Sequence, residues 1–100
     1  MTTYKIIRGT LSLGAAGTWG VKSGGVMFDF PTSGWRAYLN GIDSANMCPP
    51  YADCSLTVDL EGGGELRGVC SVVEVDVQQA QVESACQPDQ FIEPTIAEAE

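Results

Sequence analysis

The sequence predicts a mainly β protein, a small antiparallel barrel or sandwich, and three observations carry that expectation. Residues 55–77 read as a hairpin. Leu56, Val58 and Leu60 alternate with Thr57, Asp59 and Glu61, three glycines follow, and a valine-rich strand returns. Strict alternation is the period of a half-buried strand, and glycine supplies positive φ to the turn at no steric cost. Short runs of β-branched and aromatic residues recur along the chain, separated by Gly, Pro, Ser and Asp. Finally, 100 residues with 44% apolar content suit one compact domain with a modest core.

Tyr4 to Leu13 reads as a first strand that Gly14 ends. A small-residue turn, residues 14–17, leads into the short segment Thr18 to Lys22, and residues 23–25 read as a second turn. In the next run Val26, Phe28 and Phe30 share a face, until Pro31, lacking an N–H, stops the ladder. One short helix is expected near residues 33–40. Thr32 or Ser33 would cap it, Trp35, Tyr38 and Leu39 fall at helical spacing, and Gly41 suits the left-handed position beyond its end. Residues 43–53 read as a loop stiffened by Pro49 and Pro50.

Within the hairpin, Leu66, Cys70 and Val72 have even parity, whereas Val73, Val75 and Val77 have odd parity. A bulge near Val72–Val73 that re-phases the strand accounts for the switch. Residues 78–86 carry little pattern and suit either a short helix or an extended run. The expected organisation is a single β-rich domain over residues 1–86 and an extended acidic arm over 87–100, with Phe91, Ile92 and Ile96 as apolar anchors.

Composition limits the chemistry. No apolar run approaches the roughly 20 residues that span a bilayer, and Lys5 and Arg8 interrupt the N-terminal apolar run before a signal sequence could form. A cytosolic origin without membrane association is therefore expected. Seven acidic residues (Glu74, Asp76, Glu83, Asp89, Glu93, Glu98 and Glu100) and no basic residue follow Arg67. That field repels phosphates and argues against nucleic-acid binding, while a basic protein surface would be attracted.

The chain has no histidine, which removes Ser-His-Asp and Cys-His arrangements and histidine-based metal motifs. Asp59 and Glu65 are a conceivable carboxylate pair but read as solvated turn tips. Residues 17–23 look superficially like a phosphate loop, yet Val21 stands where the glycine before the lysine is needed. Neither catalysis nor a cofactor is expected.

The four cysteines are Cys48, Cys54, Cys70 and Cys86, and their spacing does not suit a structural zinc site. A disulfide is simplest between Cys48 and Cys54, although four cysteines allow three connectivities and a cytosolic chain keeps its thiols reduced. Cys70, inside the valine-rich strand, reads as a small core residue.

The residues running from Tyr4-Lys5-Ile6-Ile7-Arg8-Gly9 through Val21-Lys22 and Val26-Met27-Phe28 to Tyr38-Leu39-Asn40-Gly41 resemble small structural proteins of tailed phages, of the head, decoration or head–tail type. The hairpin is similar in style to those of phage tail and decoration proteins. Gly25 departs from the acidic residue usual in that pattern, and the Cys48–Cys54 loop lies outside it. The resemblance implies a non-enzymatic virion protein, made in the host cytoplasm, that binds copies of itself or other virion proteins in an oligomeric assembly. The alternative is an acidic soluble inhibitor that binds a basic surface of a host protein.

Overall fold

The computed structural model describes residues 3–14, 17–28, 34–42 and 51–94. Among these residues the chain forms eight strands and no helix. They are β1 (Thr3–Ser12), β2 (Thr18–Val21), β3 (Ser23–Phe28), β4 (Trp35–Asn40), β5 (Tyr51–Leu60), β6 (Glu65–Asp76), β7 (Gln79–Ser84) and β8 (Gln90–Ile92). Neighbouring strands run in the order β1-β3-β4-β7-β6-β5, and β5 pairs back onto β1. Of the expected barrel or sandwich, the structure is a closed, six-stranded antiparallel barrel, with β2 and β8 as outer strands.

The outer strands extend two walls of the barrel. β2 and β3 follow one edge of β1 in a single register, from Ser12 opposite Thr18 to Thr3 opposite Met27. β7 and β8 both pair with the edge of β6 away from β5, and residues 85–89 bulge out between them.

Alternation places Tyr4, Ile6, Leu11, Val26, Trp35, Ala37, Leu39, Leu56, Val58, Leu60, Leu66, Val72 and Val82 in one interior cluster. Trp35 is its largest member and lies against Gly68. Its indole N–H has no hydrogen-bond partner among the described residues. An orphaned donor costs about 1–3 kcal/mol, which burial of the ring offsets.

The bulge expected at Val72–Val73 is present. Val72 pairs with Val82 and Glu74 with Gln81, so Val73 is the extra residue. It turns outward, while Val72 stays buried and Val75 packs against the core. β1 slips in the same way between Ile6 and Arg8, exposing Ile7, and β5 slips between Tyr51 and Cys54, where Asp53 has φ 59°. Bulges bend strands and increase their twist, as a small closed barrel requires.

The helix expected near residues 33–40 is corrected to strand β4. Two periodicities compete in that segment. Trp35, Tyr38 and Leu39 suit a helix, but Trp35, Ala37 and Leu39 alternate, and those three are the buried residues. A helix of barely two turns is marginal, whereas a strand here gains ladders from both β3 and β7. Gly41 does adopt positive φ, 74°, but as a strand-end turn whose N–H donates to the Gln78 carbonyl. Ser23–Gly25, expected as a turn, opens β3, and Tyr51–Asp53, expected as loop, opens β5. Residues 79–84 resolve the open choice in favour of a strand. Phe30, the helix caps Thr32 and Ser33, and residues 43–50 of the loop lie outside the described residues.

Closure depends on a close approach at Gly9. A Cβ there would collide with the Val58 side chain and come within 2.7 Å of the Thr57 carbonyl oxygen. Gly9→Ala is therefore expected to lower unfolding stability by about 1–3 kcal/mol, as overpacking does. Gly20→Ala, where nothing lies within 4 Å of the added carbon, should stay within about 0.5 kcal/mol of the parent. Urea midpoints of the two variants check the contrast.

Candidate functional site

The strand registers assemble one outer face from β4, β7 and β6. Arg36, Glu83 and Ser71 form one row across these strands; Tyr38, Gln81 and Glu74 form the next; Asn40, Gln79 and Asp76 form the third. Beside these rows the bulge turns Val73 outward, and alternation does the same for Val69. They are 42% and 47% exposed, with Tyr38 at 42% and Val77, in the hairpin turn, at 83%. Four of the six large exposed hydrophobics among the described residues therefore lie along this face, with Val69, Val73 and Val77 spaced four residues apart on β6 and its turn; the other two are Ile7 and Ile92.

An open groove of about 780 Å³ crosses the face where β6 passes beneath the 85–89 bulge. It is lined by Val69, Cys70, Ser71 and Val73 of β6, by Glu83 to Gln87 and Asp89, and by Gly34 and Asp53. A second depression of about 440 Å³ lies between Tyr38, Asn40, Glu74, Val75 and Asp76.

Charge is divided between the two halves of the barrel. On β1, Lys5 and Arg8 pair with Glu61 and Asp59 at 4.0 and 2.7 Å. Such exposed pairs contribute about 0–1 kcal/mol each, but they neutralise the acidic edge of the β5–β6 hairpin. The β4–β7–β6 face carries Glu74, Asp76 and Glu83, with Asp53 and Asp89 at the groove, and its basic residues are Arg36, opposite Glu83, and Arg67, at the β8 end of β6. Gln81 donates to Glu83 at 3.4 Å. Among the described residues no group of three or more Cys, Asp or Glu is placed to hold a metal ion.

The residues singled out from the sequence end up apart. Phe91 is half-buried and packs on Phe28 and Tyr4, with ring centroids 4.9 and 5.3 Å away. It fastens β8 to the chain's own barrel. Ile92, the next residue along the strand, is exposed, and Ile96 lies outside the described residues. The Tyr4 hydroxyl donates to the Glu93 carboxylate at 3.3 Å, and burial together with that carboxylate raises its pKa. Gly64 admits this docking. A Cβ there would come within 2.6 Å of the Ile92 carbonyl oxygen and 2.7 Å of Pro94.

Cys48 also lies outside the described residues, so its expected link to Cys54 cannot be placed; Cys54 instead faces Cys70 across β5 and β6. Both are buried free thiols, as expected for Cys70, and Cys86 is a free, exposed thiol on the groove wall. Burial pushes the Cys70 thiol up to about 12, with the Cys54 sulfur adding to the shift, and Cys54 is raised chiefly by burial. The outer face itself was not found from sequence. Its one readable sign was the parity switch that exposes Val73.

Comparison with known proteins yields no matching family model, no similar curated protein and no matching solved structure.

Two predictions follow from these contacts. Phe91→Ala should cost about 2 kcal/mol of stability, below the roughly 3–5 of a fully buried ring because Phe91 is half-buried, and Ile92→Ala less than about 0.5. Denaturant titration separates them. For Cys70, the folded chain holds a proton that the unfolded chain releases near pH 9. Its contribution is complete below that pH and is lost as pH rises towards about 12. Parent stability should therefore fall more steeply over this window than that of Cys70→Ala, as measured by urea unfolding at several pH values.

Proposed function

We propose that this protein is a non-enzymatic assembly component that acts through protein–protein contacts made by the outer face of β4, β7 and β6. The observation that carries this reading is the exposure of Tyr38, Val69, Val73 and Val77 among acidic residues along one wall of the barrel. Exposed apolar residues rimmed by polar groups mark interaction sites, and an open sheet face suits another folded surface. The sequence resemblance supplies the setting: a phage-like virion, with copies of the chain or other head or tail proteins as partners. Ile92 and the acidic segment after it add a second area of contact.

A second reading is favoured by the charge division. The same face would seat a basic surface of a host protein, making the chain a soluble acidic inhibitor. Salt separates the two readings. An apolar assembly contact survives in about 0.5 M salt, whereas a charge-steered complex weakens steeply as ionic strength rises.

Quantitative mass spectrometry of particles purified from the source should find the chain as a stoichiometric component. The double variant Val69→Lys with Val73→Lys should fold with an unchanged thermal midpoint yet incorporate at least about tenfold less, the cost of placing charge at the core of a contact. Absence from particles combined with a monomer that binds nothing there would sink the assembly reading.

A further inference from the structure

We propose that Cys54 and Cys70 form a built-in oxidation site, closing as a cross-strand disulfide when the reduced protein meets a small-molecule disulfide such as oxidised glutathione. The two residues are direct partners in the β5–β6 register. Their side chains point into the same interior, 1% and 3% exposed, and both thiols are free. Directly opposed residues of an antiparallel pair lie about 4.5–5.5 Å apart at Cα, inside the roughly 4.4–6.8 Å that a disulfide bridges. The register shift just before Cys54, with Asp53 at φ 59°, leaves local backbone freedom to adjust the approach of the two sulfurs.

Cys70 belongs to the groove wall, but its thiol faces the interior, so glutathione reaches the pair when the wall opens locally. The Cys70 thiolate attacks one sulfur of glutathione disulfide, forming a mixed disulfide and releasing a first glutathione. The Cys54 thiolate then attacks the Cys70 sulfur, closing the bridge and releasing the second. The two protons lost by the cysteines go to the two departing glutathiones. Two electrons pass from the pair to the glutathione disulfide, and the balance is complete. Burial keeps both thiols protonated at neutral pH, which makes the reaction slow there and faster as pH rises. The bridge fastens β5 to β6 beneath the groove, and the inference stands whether or not that face binds a partner.

The test uses the full chain carrying Cys48→Ser and Cys86→Ser, which leaves only the pair. Trypsin cuts after Arg36 and Arg67, so Cys54 and Cys70 fall in different peptides. The variant is treated with glutathione disulfide at alkaline pH while folded, and in parallel is refolded from denaturant in a glutathione redox buffer. The expected result is a monomer lighter by two hydrogens, with the two peptides joined unless a reductant is added. Its thermal midpoint should lie roughly 10–20 °C above that of the reduced form. A linked product in either arm supports the inference. Glutathione adducts without the link, dimers joined between chains, or free thiols in both arms overturn it.

Discussion

Closure of β1 onto β5 is the constraint on which the other features depend. β1 gives one edge to β2 and β3 and the other to β5, so it joins the first and last walls of the barrel. With that joint made, the inward residues of all six barrel strands share one interior, and a chain of this size can bury Trp35 and twelve aliphatic or small residues completely. Without it, β1 and β5 would each present an unpaired edge and the core would open on one side. The joint itself depends on a missing side chain. Gly9 points to the interior position that Val58 fills, and a bulkier residue would hold the two strands apart.

A barrel of so few strands must bend each of them sharply, and the three register shifts show where this happens. They fall in β1, β5 and β6, the contiguous strands flanking the closing joint. Each shift also re-aims side chains. The slip in β1 exposes Ile7, and the slip in β6 turns Val73 outward beside Val69. Part of the apolar surface on the outer face is thus produced by the same bends that let the barrel close. The shift in β5 sits beside Cys54 and so belongs to the geometry that brings the two buried thiols together. Fold and surface chemistry share a cause here.

The sequence showed the hairpin, the β class and the phase switch in β6 because each rests on local alternation. The identical signal lies in β1, where Ile6 has even parity and Leu11 odd, and both are buried. β4 was misread because six residues can satisfy a helical and an alternating pattern at once, and only the neighbouring edges of β3 and β7 decide between them. Ser23–Gly25 looked like a turn for a similar reason: glycines signal a break until a neighbouring strand is known to pass close by. The Cys54–Cys70 opposition was legible in principle. Counting back from the turn at residues 61–64 gives that register, but the loop assigned to residues 43–53 hid how far β5 extends. Phe91 illustrates the opposite limit, since no local pattern tells whether an apolar residue near a chain end anchors to its own core or to a partner.

The two halves of the barrel are chemically distinct, and the distinction bears on function. The β1–β5 half holds the closing joint, and its cations Lys5 and Arg8 are taken up by Asp59 and Glu61 of the neighbouring hairpin. The β4–β7–β6 half has its inward residues fixed by Trp35, Ala37, Leu39, Val72, Ala80 and Val82, so its outward residues contribute little to holding the fold. Tyr38, Val69 and Val73 suit a strand by propensity, but with Val77 they expose apolar area where solubility alone would favour charged residues. Arg36, opposite Glu83, is a basic residue among the carboxylates of these rows. In the proposed assembly role a partner would cover this surface, with the carboxylates selecting against acidic surfaces and the apolar residues supplying the contact.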